Sequence, residues 1–153
     1  MIGEYMRVTA AELDRAIGDP VWARTFVAEA QDARGFSTYK TWDLLRFLLA
    51  RADFPVDVIH GEEPFAEDED WGYGPPRHLR PERVRLAARS LRAIPYDRLL
   101  DGVDPAELAE AEVYPDRWDE PGALEWGRQW YEGLTRFFGA AAVTNDAMLV
   151  WLD

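Results

Sequence analysis

The chain has 153 residues, no cysteine, and 29 acidic against 17 basic side chains, a formal net charge of −12. That length fits one domain able to bury a core without disulfides or metal, and the missing cysteine removes disulfide scaffolds, thiol catalysis and Cys-ligated zinc together. The charge opposes nucleic-acid and membrane partners, and with no ~20-residue apolar span and no signal pattern in "MIGEYMRVTAAELDR" the expected setting is the cytoplasm.

Ile2 to Val8, short and carrying β-branched and aromatic residues, reads as a strand. Thr9 to Glu12 has the spacing of a capping box, in which the Thr9 hydroxyl takes the Glu12 amide and the Glu12 carboxylate reaches back. A helix to about Ile17 follows. Asp19-Pro20 sets an N-cap before proline at the first helical position and opens a second helix, Val21 to about Ala33, with Gly35 as its stop. Ser37 or Thr38 is expected to cap a third helix over 38–52. Its Trp42, Leu45, Leu48, Leu49 and Ala52 fall in one wide apolar arc.

Phe54-Pro55 breaks that helix, and "VDVIH", Val56 to His60, reads as a strand. From Gly61 to about Arg80 no period survives, so residues 61–80 are expected to form a long loop, functional or mobile. Pro81 opens a helix to about Ile94, with Val84, Ala87, Ala88 and Leu91 on its buried stripe and Arg85, Arg89 and Arg92 beside it. Shorter helical pieces follow Pro95 and Asp104-Pro105, and Tyr114-Pro115 makes a turn. Asp119 to Pro121 opens a long helix carrying Tyr131, Leu134 and Phe138, ended or loosened at Gly139. "AMLVWL" is a buried strand. Few strands among half a dozen helices, without βαβ alternation, indicate an α+β fold. The expectation is one predominantly helical domain over 1–153, with a small sheet that includes the N- and C-terminal strands.

The stretch "AEDEDWGYGPP", Ala66 to Pro76, stands apart in composition. Counted from Asp68 as an EF-hand, its fifth, sixth and twelfth positions are Gly72, Tyr73 and Leu79, which fail the ligand pattern. As a dinucleotide fingerprint, Gly72 and Gly74 lack the third glycine, where Arg77 stands, and Pro75-Pro76 remove two amides. His60 and His78 bracket the loop, and with Glu62, Glu63, Asp68 and Asp70 they have metal-ligand chemistry but no recognised spacing. No metal or cofactor is assigned. "GFSTY" lacks the second glycine of a nucleophile elbow, so Ser37 is read as a cap. The loop's acids are expected to be answered by the arginines from Arg77 to Arg92. Phe65, Trp71 and Tyr73 either anchor the loop inward or present an interface.

Four landmarks carry a family likeness: "MIGEYMRVTAAEL", "YKTWDLLRFLL", "DWGYGPPRHLRPERV" and "VYP" followed by the apolar final strand. In these the chain resembles the YfbM-like family, a bacterial domain of unknown function. The resemblance implies a single α+β domain and no established activity. The family's Lys-x-Trp-Asp-x-Leu-His pattern places Lys40, Trp42, Asp43 and Leu45, while Arg46 stands where the pattern has histidine. Arg80 stands where similar sequences carry a capping threonine. Lys40 is the chain's only lysine, and a contact with Asp43 one helical turn away is its simplest structural role.

Two readings of function follow. The leading one is a non-enzymatic, acidic protein-binding module, immunity- or inhibitor-like, meeting a basic protein. The alternative is a small-ligand-binding protein or enzyme with a cleft between the 61–80 loop and the 38–52 helix. The candidate interface or cleft residues are Lys40, Asp43, His60, Asp68, Asp70, Trp71, Tyr73 and His78.

Overall fold

Side chains alternate across a strand, and the outermost segments of the chain use that alternation to separate two cores. In β1 (Gly3–Val8) Tyr5 packs on one side of the sheet, Met6 and Val8 on the other. The last strand, β5 (Ala147–Leu152), splits likewise, with Met148 and Val150 against Ala147, Leu149 and Trp151. The computed structural model, which describes Met1–Asp153, pairs these strands antiparallel from Gly3↔Leu152 to Val8↔Ala147. β2 (Gly35–Tyr39), β3 (Glu63–Pro64) and β4 (Arg77–Leu79) complete an antiparallel sheet in the order β2-β1-β5-β4-β3.

Helices cover both faces. α1 (Ala10–Gly18) and α2 (Pro20–Arg34) lie over the smaller core of 11 buried residues. The larger core, of 25, takes α3 (Trp42–Arg51), α4 (Pro81–Ala93), α5 (Tyr96–Leu100), α6 (Pro105–Glu110) and α7 (Trp126–Val143). Leu44, Leu48, Leu134 and Phe138 are fully enclosed there, each worth about 1.5–3 kcal/mol of transfer free energy. The fold is α+β, and no helix is long and apolar enough to cross a membrane.

Where the sequence determines structure through local hydrogen bonds, expectation and structure agree. The Glu12 amide donates to Thr9 Oγ1 at 3.1 Å and the Thr9 amide to Glu12 Oε1 at 2.8 Å. Arg34 then grips both Glu12 oxygens at 2.7 and 2.9 Å, tying the end of α2 to the start of α1. That pairing is the main force holding the Glu12 carboxyl down to about 2. Asp19 caps α2 by accepting from the Trp22 amide.

Four expectations are corrected. Ser37 and Thr38 do not cap the third helix; they lie in β2, where both hydroxyls donate to the Gly3 carbonyl. Ser37 Oγ also accepts the Tyr39 amide, so its hydrogen-bonding capacity is committed to β1 and the turn. α3 starts instead at Trp42, after Thr41, which makes no side-chain cap. "VDVIH" is not a strand, because Asp57 Oδ1 accepts the amides of Ile59 and His60 and curls the segment into turns. The 61–80 stretch is not one structureless loop, since β3 and β4 pair as a hairpin with Glu63 opposite His78. Finally, α7 follows a 3₁₀ turn at Ala123–Glu125 and runs through Gly139 to Val143.

Candidate functional site

The hairpin's connecting loop is built inward. Asp70 Oδ1 accepts the amides of Gly72 and Gly74, at 2.9 and 3.1 Å. Those two bonds hold the Asp70 carboxyl below its usual range. Trp71 is 8% exposed and packs edge-on against Trp151 and Phe65, with ring centres 5.5 and 5.8 Å apart. Tyr73 is 61% exposed, though its amide donates to the Leu152 carbonyl at 3.0 Å. The rings therefore divide: Phe65 and Trp71 anchor, and Tyr73 faces outward.

The acids divide as well. Arg83 holds both oxygens of Glu62 at 2.7 Å, and Arg80 Nε meets Glu63 at 2.9 Å. Arg77 donates instead to the carbonyls of Gly61 and Glu62. Glu69 is answered from α2 by Arg24 at 3.4 Å, and Arg85 turns to Asn145. Asp68 is exposed at the loop's far end. The expected neutralisation by the following helix thus holds for Glu62 and Glu63 and goes no further along the run.

Two cavities flank the turn segment Ile59–His60. The larger, about 240 Å³, lies between α3 and residues 54–60; Leu49, Phe54, Val56 and Ile59 form its apolar wall, and Arg46, Asp57 and His60 its polar groups. The smaller, about 200 Å³, lies between the same segment, the end of β5 and the loop, with Tyr73, Pro75 and Arg77 on one side and Trp151 on the other. His60 belongs to both walls. Its ring stands edge-on to Trp42 at 6.1 Å, and Trp42 stacks on Tyr114 at 5.9 Å.

Charge at this site is organised around two aspartates. Asp43, 7% exposed, accepts Arg46 Nε at 2.5 Å and the Tyr114 amide at 2.8 Å. The expected Lys40–Asp43 contact does not form, because α3 begins at Trp42 and Lys40 sits on the preceding turn. Lys40 is exposed, with Nζ 5.8 Å from the Tyr39 ring centre. Burial alone would raise the Asp57 carboxyl, yet its bonds to His60 and to the Ile59 amide bring it below the ordinary value. The His60 Nδ1–Asp57 Oδ2 separation of 3.4 Å is a loose contact.

His78 stands apart from this chemistry. It is 2% exposed on β4, neither ring nitrogen makes a hydrogen bond, and Nε2 is 3.4 Å from a Glu63 oxygen. Burial outweighs the attraction of Glu63 and lowers the His78 pKa. No group of three or more His, Asp or Glu side chains comes together in a way that could hold a metal ion.

Of the residues singled out from sequence, His60 and Tyr73 line the cavities; Asp43 supports Arg46 from behind. Asp70 and Trp71 build the loop that forms one wall. Lys40, Asp68 and His78 lie elsewhere. Sequence reasoning missed Arg46, Asp57, Phe54 and Arg77 as cavity-lining groups. A signal existed for two of them: Arg46 departs from the family pattern, and Asp57 precedes His60 by three residues with the spacing of an aspartate-capped turn.

A family model for a domain of unknown function, DUF1877, matches residues 1–151. The chain is similar in fold to the crystal structure of YfbM from Escherichia coli, itself a protein of unknown function. The TM-score is 0.69 at 16% sequence identity, over 98% of each chain. No curated protein matches.

Proposed function

The chain belongs to the DUF1877 family of domains of unknown function, and from that premise we propose that it is a binding domain whose site for a small, largely apolar ligand is the cleft at His60. One observation carries this reading: two cavities of about 240 and 200 Å³ share His60 and Ile59 as a common wall. Six of the nine residues lining the larger are hydrophobic, with a few convergent polar groups among them. That is the composition of small-molecule sites in general. The wall is also well supported, since His60 is backed by Trp42 and held at its backbone by Asp57.

The test is a thermal-shift and NMR screen with short-chain neutral and charged organic compounds. Binding should raise the melting temperature and move the amide resonances of Ile59, His60 and Arg46 together. Ligands that stabilise the protein without touching those resonances would place binding elsewhere and end this reading.

A second reading rests on charge. Residues 97–125 contain ten acids against two arginines, and Asp101, Asp104, Glu107, Glu110, Glu112, Asp116, Asp119 and Glu120 are all exposed. This acidic stretch is suited to a basic protein partner, recruited by long-range attraction that salt screens. A partner captured at low salt by the native protein, but not by a variant with four of these acids made neutral, supports it. Equal capture by both proteins refutes it.

A further inference from the structure

Hydrogen-bond accounting in the larger cavity points to the chemistry of its ligand. One carboxylate, Asp57, lines the wall, and a second, Asp43, stands behind it. Asp57 Oδ1 accepts the amides of Ile59 and His60, and Oδ2 faces His60 Nδ1. Asp43, behind the wall, gives one oxygen to Arg46 Nε and the other to the Tyr114 amide. Donors, by contrast, are left over. Only Nε of Arg46 makes a hydrogen bond within the chain, so two NH₂ groups of a side chain lining the cavity remain free. His60 Nε2 also lacks a protein partner, but with Nδ1 toward Asp57 it is an acceptor in the neutral ring and adds no donor.

Position adds to this. Asp43 is buried and doubly bonded, so it fixes the Arg46 guanidinium instead of letting it drift into solvent. Arg77 stands across the Ile59–His60 segment, its Nε and Nη2 bonded to the Gly61 and Glu62 carbonyls. It does not line the larger cavity and adds positive field there. In a chain of net charge −12, the cavity thus presents an arginine fork and a histidine beside Leu49, Phe54 and Ile59.

Resting on the binding reading above, we infer that the ligand is an amphipathic monocarboxylate, its carboxylate on the Arg46 fork and its apolar body against Leu49, Phe54 and Ile59. A planar guanidinium matches a carboxylate with two parallel hydrogen bonds. An ammonium ligand meets the like charge of Arg46, and the one carboxylate on this wall, Asp57, is already bonded to two backbone amides. A dianion such as a phosphate monoester meets one free arginine fork with Asp57 close by, which leaves its second charge unanswered.

The experiment compares hexanoate, 1-hexanol, hexylamine and hexyl phosphate by calorimetry and thermal shift on the native chain, Arg46→Gln and Arg46→Lys. Hexanoate should bind about 10- to 100-fold more tightly than hexanol, the range expected of hydrogen bonds to a charged group. Hexylamine should be the weakest. Arg46→Gln should bring hexanoate and hexanol within about threefold of each other while hexanol affinity stays unchanged, and Arg46→Lys should fall between. Hexanol matching or exceeding hexanoate overturns the carboxylate inference and leaves the apolar cleft standing. Hexyl phosphate binding more tightly than hexanoate overturns the monoanion assignment. If none of the four binds at His60, the cleft reading fails along with this one. Melting of the two variants alone, within a few degrees of native, confirms that affinity rather than folding is being read.

Discussion

Replacing Gly72 by alanine tests whether the loop between β3 and β4 is fixed to the sheet as firmly as its contacts imply. Gly72 has φ +138°, a region that side-chain-bearing residues rarely enter, and a Cβ there would stand 2.7 Å from the Leu152 carbonyl oxygen and 2.9 Å from Asp153 Cα. Both neighbours are backbone and cannot swing aside. Conformational strain of about 1–3 kcal/mol adds to the weakening of the Tyr73-to-Leu152 hydrogen bond, about 1 kcal/mol. The loop could escape this cost by detaching, but detachment exposes Trp71. A buried aromatic covers roughly 150–250 Å², which at about 25 cal/mol per Å² is about 4–6 kcal/mol. Attachment wins, and the strain is borne by the whole domain. The expected loss is about 3 kcal/mol, a fall in melting temperature of roughly 6–12 °C for a chain of this size. Calorimetry gives the first number, and hydrogen exchange at the Tyr73 amide reports whether the loop stays docked. A fall under 2 °C with Tyr73 still protected refutes the steric argument. Loss of Tyr73 protection at an unchanged melting temperature refutes the ranking of the two energies.

Gly139 is the opposite case: it lies within α7 and an added Cβ meets nothing within 4 Å, so Gly139→Ala should stabilise by about 0.5–1 kcal/mol; a destabilised variant would mean the helix needs its glycine. Glu12→Gln should cost on the order of 1 kcal/mol at pH 7. Because the folded Glu12 carboxyl sits at about 2, below its ordinary value of 4.5, its contribution is present above about pH 4.5 and lost as pH falls toward 2. Urea unfolding of both proteins should therefore converge at low pH, and a pH-independent gap would contradict the Arg34 pairing. His78 is held neutral by burial, with its pKa lowered from 6.5. Below about pH 6.5 the unfolded chain gains a proton that the folded chain refuses, so this residue subtracts stability as pH drops. His78→Phe should gain on the native protein between pH 7 and pH 5, and the reverse trend would mean that Glu63 stabilises a charged His78.

What could be read from sequence was what neighbouring residues settle among themselves. The Thr9–Glu12 box, the Asp19 cap and the amphipathic stripe of α4 need only local chemistry, and the apolar run of β5 could only be accommodated in a sheet interior. β2 was misread because Ser37 and Thr38 suit a cap as well as a strand, and only the Gly3 carbonyl, more than thirty positions away, decides between them. "VDVIH" alternates like a strand, yet the Asp57 carboxylate outcompetes a sheet partner for the local amides. The cleft was harder still. His60 is conspicuous as one of two histidines, but Arg46 and Phe54 become its neighbours only when α3 and the turn segment pack together.

The pairing of β1 with β5 has a consequence for the timing of folding. Val8 reaches its partner Ala147 only after roughly 140 further residues have been made, which at ~5–20 residues per second is on the order of ten seconds or more. Throughout that interval the first strand has no central neighbour, and β4 also waits for β5 to join it to the rest of the sheet. The helices over the larger face can form early, but the sheet that divides the two cores cannot. A nascent chain of this topology presents its apolar strands to the cell for that whole period, and the last strand to emerge is the one that joins the two halves of the molecule.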